Sequence, residues 1–389
     1  MKVIYFLKPF FADCDFPLIK EMQDKGVDVR CYMPLYKGFK SSSILDFNTP
    51  YMRFGLYRAA NIEEFSAYRD LIDLQKLYII SPYSIRKLWL PGLFLWLCVC
   101  FHMLLFRADI IHIDWQLEKY ENILRLLRLA KKKIMTVHDP FQHAGVMLKE
   151  LNEKRRIKCF KWADKLILLN KKQVDDFSSY YVIPKNKIEL SKLGIYNSFS
   201  HVKGKHIKYS SKYILFFGYI CEYKGVDDLL EAMKKVNLVH PEIKLIIAGS
   251  GDFYFDIKPY INLEYIEFRH RYIGIAELKA LVENALFTVC PYKEATQSGV
   301  IQTVFALNCP VVATNVGALS EMIENGITGL LVPPKDRQLL SNEIIYLLDN
   351  PSLIDEMREN IKRLNETDYS WGNIAENYIS IYERVLRDE

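Results

Sequence analysis

The stretch CPYKEATQSGVIQTVFALNCPVVATNVG, from Cys290 to Gly317, decides how this chain is read. An apolar strand, Leu286 to Cys290, runs into a polar loop. A helix opens at Ser298-Gly299, and a second strand, Pro310 to Thr314, follows it. The loop carries a carboxylate, Glu294, the hydrogen-bonding side chains of Thr296, Gln297 and Ser298, and Gly299. Backbone N–H groups at a helix start have no intrahelical partners and sit at the positive end of the helix dipole. Those of Gly299 and Val300 therefore suit an anionic or hydroxyl-rich ligand. A carboxylate beside them accepts two sugar hydroxyls. The pattern predicts a nucleotide-sugar site rather than a plain packing turn.

Outward from this unit the second half alternates. Strand-like runs fall at Tyr213–Ile220, Lys244–Ala248, Leu263–Phe268, Leu286–Cys290, Pro310–Thr314 and Gly329–Val332, with amphipathic helical patterns between most of them. Apolar strands alternating with helices predict an α/β fold with a doubly wound parallel sheet. The first half repeats the theme at Lys2–Leu7, Val27–Tyr32, Ile110–Ile113, Lys133–Val137 and Lys165–Leu169. Two Rossmann-like domains, residues 1–200 and 205–368, are expected to face across a cleft, joined by the polar, basic stretch Asn197–Ser210. A tail helix, 370–389, with Ser370 as its N-cap, is expected to pack back on the first domain.

The chain has 389 residues, half of them apolar and a quarter charged, a globular composition of two-domain size. Its net charge of +5 permits contact with phosphates or an anionic membrane surface, and the absence of an aromatic-basic motif argues against nucleic acid. Eight scattered cysteines without zinc spacing read as reduced thiols of a cytoplasmic protein. MKVIYFLKPFF reads as a buried first strand, not a signal peptide. Leu88–Phe106 has no formal charge, and three readings stay open for it: a buried helix, an interfacial helix docked on lipid, or a span. Pro91 and Gly92 split the run. The basic residues Lys131–Lys133, Lys154, Arg155, Arg156 and Lys158 read either as a solvated face or, with that segment, as a peripheral membrane surface.

The stretch Gly218-Tyr219-Ile220-Cys221-Glu222-Tyr223-Lys224-Gly225 resembles the motif that opens the second domain in glycosyltransferase family 4, with Tyr219 where the family has arginine. Ile247-Ala248-Gly249-Ser250-Gly251 is similar to the family's strand-end turn. Glu294 and Gln302 stand where the family has two glutamates. Pro310–Thr314, Gly317, Glu321 and Gly326–Pro333 continue the resemblance. Asp109–Ile113 and Thr136–Pro140 resemble the acceptor-side strands, and Tyr369-Ser370-Trp371 resembles the start of the returning helix. The glycines often found after the family's first strand are replaced by Lys8-Pro9-Phe10-Phe11.

The resemblance implies a GT-B fold and retaining transfer of a sugar from a nucleotide-diphospho-sugar to a glycan or lipid-linked acceptor, in cell-surface polysaccharide or glycolipid synthesis. No metal or other cofactor is implied. Lys224 would hold the diphosphate, Glu294 the donor sugar, and Gln302 the ribose. Gly218, Tyr219, Gly249, Thr296, Gln297, Ser298, Gly299 and Val300 would line the donor site. His138 would lie near the transferred sugar, with Asp13, Asp139 and His143 on the acceptor side. Lys293, Arg269 and Arg271 are candidates to replace the missing arginine. Asp13-Cys14-Asp15 spells a metal-binding DxD, but in a loop after the first strand, where acceptor contact fits better. Plain alternatives stand beside these: a solvated Lys224, a loop carboxylate at Glu294, a structural His138. A catalytically weak protein that binds nucleotide or glycan and scaffolds a partner is the rival reading, kept open by Tyr219 and Gln302.

Overall fold

The computed structural model describes residues 1–36, 54–82, 90–141, 149–196, 199, 211–294, 299–317 and 319–387. The chain forms two compact units, residues 1–194 with 371–389, and residues 195–370. Most of the expected connecting stretch Asn197–Ser210 lies outside the described residues.

In unit 1 the elements run β1 (Lys2–Phe6), α1 (Ala12–Asp24), β2 (Asp28–Pro34), β3 (Gly55–Arg58), β4 (Leu77–Ser81), α2 (Leu90–Phe106), β5 (Ala108–Ile113), β6 (Ala130–Val137), α3 (Lys149–Trp162), β7 (Lys165–Leu168), α4 (Val174–Tyr181) and β8 (Ile188–Leu190). The strand order is β3-β4-β2-β1-β5-β6-β7-β8, parallel except for β3 at the edge. Val3–Phe6 of β1 are fully buried, as expected of a central parallel strand covered on both faces.

Unit 2 runs β9 (Tyr213–Phe217), α5 (Val226–Val239), β10 (Lys244–Gly249), β11 (Ile266–His270), α6 (Ile275–Asn284), β12 (Thr288–Cys290), α7 (Gly299–Ala306), β13 (Val311–Thr314), α8 (Leu319–Met322), β14 (Gly329–Val332), α9 (Arg337–Asp349) and α10 (Pro351–Glu366). Its sheet is fully parallel, in the order β11-β10-β9-β12-β13-β14. The last helix, α11 (Trp371–Arg387), belongs to unit 1. There the Tyr382 hydroxyl lies 2.6 Å from His112 Nδ1 of β5, and Glu376 pairs with Lys25 at 2.7 Å.

Both sheets start centrally and grow outward in two directions. In unit 1 the direction reverses between β1 and β5, and in unit 2 between β9 and β12. Helices on opposite faces of the sheet leave a crevice at such a point, beyond the carboxyl ends of the two strands.

Three expectations change. Pro91 and Gly92 do not split the apolar run; they lie in the first turn of α2, where a missing N–H costs no intrahelical bond. Asp13 and Asp15 sit in the first turn of α1, not in a loop. Arg156 is not on a solvated face: it is buried, and its guanidinium donates to the carbonyls of Asp139 and Pro140.

Candidate active site

The reversal point of unit 2 gathers residues from three segments. After β9 the chain turns at Gly218 (φ 117°), makes a 3-10 turn over Glu222–Lys224, and enters α5 through Gly225. After β12 it passes through Pro291 to Glu294. The Lys293 N–H donates to the Tyr223 carbonyl at 2.7 Å, joining the two loops. Their approach is close enough that a Cβ on Gly225 would sit 2.0 Å from the Pro291 oxygen. A Cβ on Gly249 would likewise meet the Gly218 oxygen at 1.8 Å, so only glycine fits at that strand end. Val300, at the start of α7, borders Gly218.

Lys224 is the notable charge here. It is 9% exposed, its Nζ donates to the Tyr292 hydroxyl at 2.7 Å, and it lies 4.0 Å from the centre of the Tyr292 ring. No carboxylate pairs with it among the described residues. Burial pulls its pKa down to about 8. A cation held in this way is short of an anion rather than solvated. Glu294, by contrast, is exposed at the end of the β12 loop.

Gly299 and Val300 are the first residues of α7, with N–H groups that have no partner within the helix. Thr296, Gln297 and Ser298 lie outside the described residues. Where the family resemblance implies a ribose-facing Gln302, the structure places this side chain fully in the core. Its amide nitrogen lies 3.1 Å from the Met322 sulfur, and its carbonyl oxygen has no partner among the described residues. Residues 300–305 of α7 are all buried, so position 302 has no solvent-facing option.

At the reversal point of unit 1, β1 is followed by Lys8–Phe11 and β5 by Asp114 and Trp115. Lys8 and Glu121 form a buried ion pair at 2.5 Å, joined by the Tyr36 hydroxyl at 3.1 Å. The Lys8 N–H donates to Asp114 at 2.8 Å, and the Tyr5 hydroxyl to Asp15 at 2.9 Å. The Asp15 and Asp114 carboxyls are both buried, and each shifts the titration of the other. Burial raises both carboxyls, Asp15 to about 6. Asp15 Oδ2 and Asp114 Oδ1 have no partner among the described residues, and a proton retained by one carboxyl is what the raised pKa values favour.

His138 follows β6. Its ring stacks on Phe11 at 3.7 Å and 12°, and burial lowers its pKa to about 3, so it is a neutral imidazole at physiological pH. Its Nε2 has no partner among the described residues. Phe10, Phe11 and Trp115 pack edge to face or tilted at 4.6 to 5.5 Å, each half-buried. Asp13, expected on the acceptor side, is buried at 1% exposure. Asp139 is partly exposed; His143 lies outside the described residues. Among the described residues no three His, Cys, Asp or Glu side chains are grouped to hold a metal ion.

Residues 211–350 match the family model described as glycosyl transferases group 1. An uncharacterized glycosyltransferase of Methanocaldococcus jannaschii is 31% identical over 182 residues, covering 45% of each chain. The match thus spans about half the length of such curated relatives. Within unit 2, residues 211–350 are thus similar to the group 1 glycosyl transferases. In fold the chain is similar over its whole length to a sucrose-phosphate synthase from Thermosynechococcus elongatus (TM-score 0.69, 15% identity, 100% of both chains). It is also similar to Anabaena HepE in complex with UDP (TM-score 0.66, 14% identity, 99% and 100% covered). The fold is GT-B.

The family's second-domain motifs all lie in unit 2. Lys224 and Glu294, separated by 70 positions in sequence, are brought into neighbouring loops by the pairing of β9 with β12. Tyr219, at the family's arginine position, is 62% exposed and brings no charge. The cations expected to replace that arginine are engaged elsewhere: Lys293 with Asp227 at 2.8 Å, and Arg269 and Arg271 with Glu277 at 3.2 and 2.7 Å. Among the described residues, the buried Lys224 is therefore the cation at this reversal point that has no carboxylate partner. The aromatic surface in unit 1 escapes sequence reading, because Phe10 and Trp115 meet only through the pairing of β1 with β5.

Proposed function

We propose that this protein is a retaining glycosyltransferase that moves a sugar from a nucleotide-diphospho-sugar to a glycan or lipid-linked acceptor in cell-surface polysaccharide or glycolipid synthesis. The observation that carries the reading is Lys224: a buried ammonium without a carboxylate, beside an exposed Glu294, at the reversal point of the family-matched unit. Cleaving the anomeric C–O bond builds charge on the departing diphosphate. A preorganised, desolvated cation stabilises that charge more than the ground state. Lys224 meets the diphosphate, Glu294 accepts hydroxyls of the donor sugar, and the N–H groups of Gly299 and Val300 receive phosphate oxygens.

Unit 1 supplies the acceptor surface. Phe10, Phe11 and Trp115 present ring faces and edges to the C–H groups of an acceptor sugar, and neutral His138 is available to hydrogen-bond a hydroxyl. Retention needs no enzyme nucleophile when a donor phosphate oxygen takes the acceptor proton on the same face. With Lys224 supplying the positive charge, the reaction is proposed to be metal-independent. The eight cysteines are all free, and a cytoplasmic place of action is proposed from that usage.

The test is a thermal-shift panel of UDP, GDP, ADP and their sugar conjugates, with and without EDTA. UDP comes first because the Anabaena protein of the same fold was seen with it. One nucleotide should raise the melting temperature, unaffected by chelator. The absence of any shift at millimolar ligand would favour the scaffold reading, for which the core-buried Gln302 and the uncharged Tyr219 speak.

A further inference from the structure

Helix α2 has two apolar sides. One faces the core through Leu95, Trp96, Val99, Cys100, Met103 and Phe106. The other carries Leu90, Phe94, Leu97, Phe101, Leu104 and Leu105, each between 41 and 78% exposed. No charged residue occurs in Leu90–Phe106. A helix that only covers a sheet turns polar residues outward, and this one does not. No helix among the described residues is long and apolar enough to cross a membrane. The exposed Arg107 follows α2 directly, and β5 begins at Ala108.

A second observation says what covers this face. The 3-10 turn Lys119–Arg125 packs against α2 and leads into Leu126 and Leu127, which are exposed. The same stretch lines a cavity of about 410 Å³ whose charged walls are Arg125, Arg128, Lys131 and Lys133, with no carboxylate in the lining and Trp162 at one side. Lys131 is paired with Asp109 at 3.0 Å and Lys133 with Asp164 at 3.2 Å. Arg125 and Arg128 have no carboxylate partner among the described residues, and Arg125 Nε is buried without an acceptor. An apolar face adjoined by a cationic cavity matches an anionic bilayer: acyl chains for the leucines and phenylalanines, headgroup phosphates for the arginines.

We propose that unit 1 docks on anionic phospholipid membrane, with the outer face of α2 lying in the interface and the Arg125–Arg128 cavity receiving a lipid headgroup phosphate. The docking does not depend on the transfer reaction. It would place the protein where a lipid-linked acceptor resides.

The experiment is flotation of the full chain with vesicles of pure phosphatidylcholine and of equimolar phosphatidylcholine and phosphatidylglycerol. Binding to the anionic vesicles should be about tenfold stronger or more, and should fall with added salt. Phe94→Ser with Phe101→Ser should weaken binding to anionic vesicles about tenfold or more, with circular dichroism and melting unchanged. Leu97→Gln with Leu105→Gln examines the same face should the first pair fail to fold. Arg125→Gln with Arg128→Gln should remove most of the anionic preference and leave the weaker binding to phosphatidylcholine. The proposal is overturned if the wild type floats with neither vesicle, or if its binding ignores both α2 pairs. It is also overturned if sedimentation shows a dimer that the α2 variants convert to monomer, which would make this face an interface between copies.

Discussion

Replacing Lys224 by methionine separates the site account from a structural one. Methionine keeps the length and apolar stem but removes the ammonium. The pKa of Lys224 is pulled from 10.5 to about 8, which corresponds to about 3 kcal/mol by which burial disfavours its charged form. Against that stands the hydrogen bond to Tyr292, worth about 1 kcal/mol, and the cation–π contact, worth about 1 kcal/mol more. The balance predicts that Lys224→Met leaves the melting temperature unchanged or raises it by a few degrees. Nucleotide affinity should move the other way. Losing one charge-assisted hydrogen bond to phosphate costs about 1.5–3 kcal/mol, or roughly 10- to 150-fold in Kd. The sign of the pH dependence follows from the depressed pKa. Between pH 8 and 10.5 the unfolded chain binds more protons than the native one, so native stability rises with pH over that window, and the variant loses this slope. A diphosphate that restores charge to Lys224 should also draw in about half a proton at pH 8, readable by calorimetry in buffers of different ionisation enthalpy. A melting temperature that drops by more than about 5 °C with unchanged nucleotide affinity would refute the reasoning.

Three further outcomes follow from the same structure. Glu294→Gln should lower kcat about 10²–10³-fold with a melting temperature near that of the wild type, since the side chain is exposed; a large stability loss would mark a structural carboxylate. Trp115→Ala should raise the acceptor KM while the donor KM holds, and equal effects on both would count against an acceptor surface in unit 1. The Asp15–Asp114 pair has raised pKa values, so its contribution to stability is full below about pH 4 and is lost as pH rises through about 6. Asp114→Asn should flatten that loss and stabilise the protein at pH 8 by about 1–3 kcal/mol in chemical denaturation, whereas an unchanged pH slope would exclude the retained proton.

The doubly wound pattern was legible because central parallel strands are covered on both faces and so read as unbroken apolar runs, as in Tyr213–Phe217 and Lys244–Gly249. Helix α1 escaped because Pro17 lies inside it, and Asp13 and Asp15 then passed for loop residues. Strand β8 escaped as a three-residue edge element, and β3 as a short antiparallel one. In the site, Lys224 and Glu294 could be found because each closely follows an apolar strand. The burial of Gln302 could not: with residues 300–305 of α7 buried on every side, periodicity carries no information on which way one polar residue points. Nor is the Phe10–Trp115 cluster visible without the β1–β5 pairing that assembles it.

The most direct measurement is hydrogen–deuterium exchange on the full-length chain with and without a nucleoside diphosphate at saturating concentration. If unit 2 binds the donor at its reversal point, protection should concentrate in residues 218–225 and 291–302, from the loops after β9 and β12. Protection confined to other segments, with these two unchanged, would contradict the account.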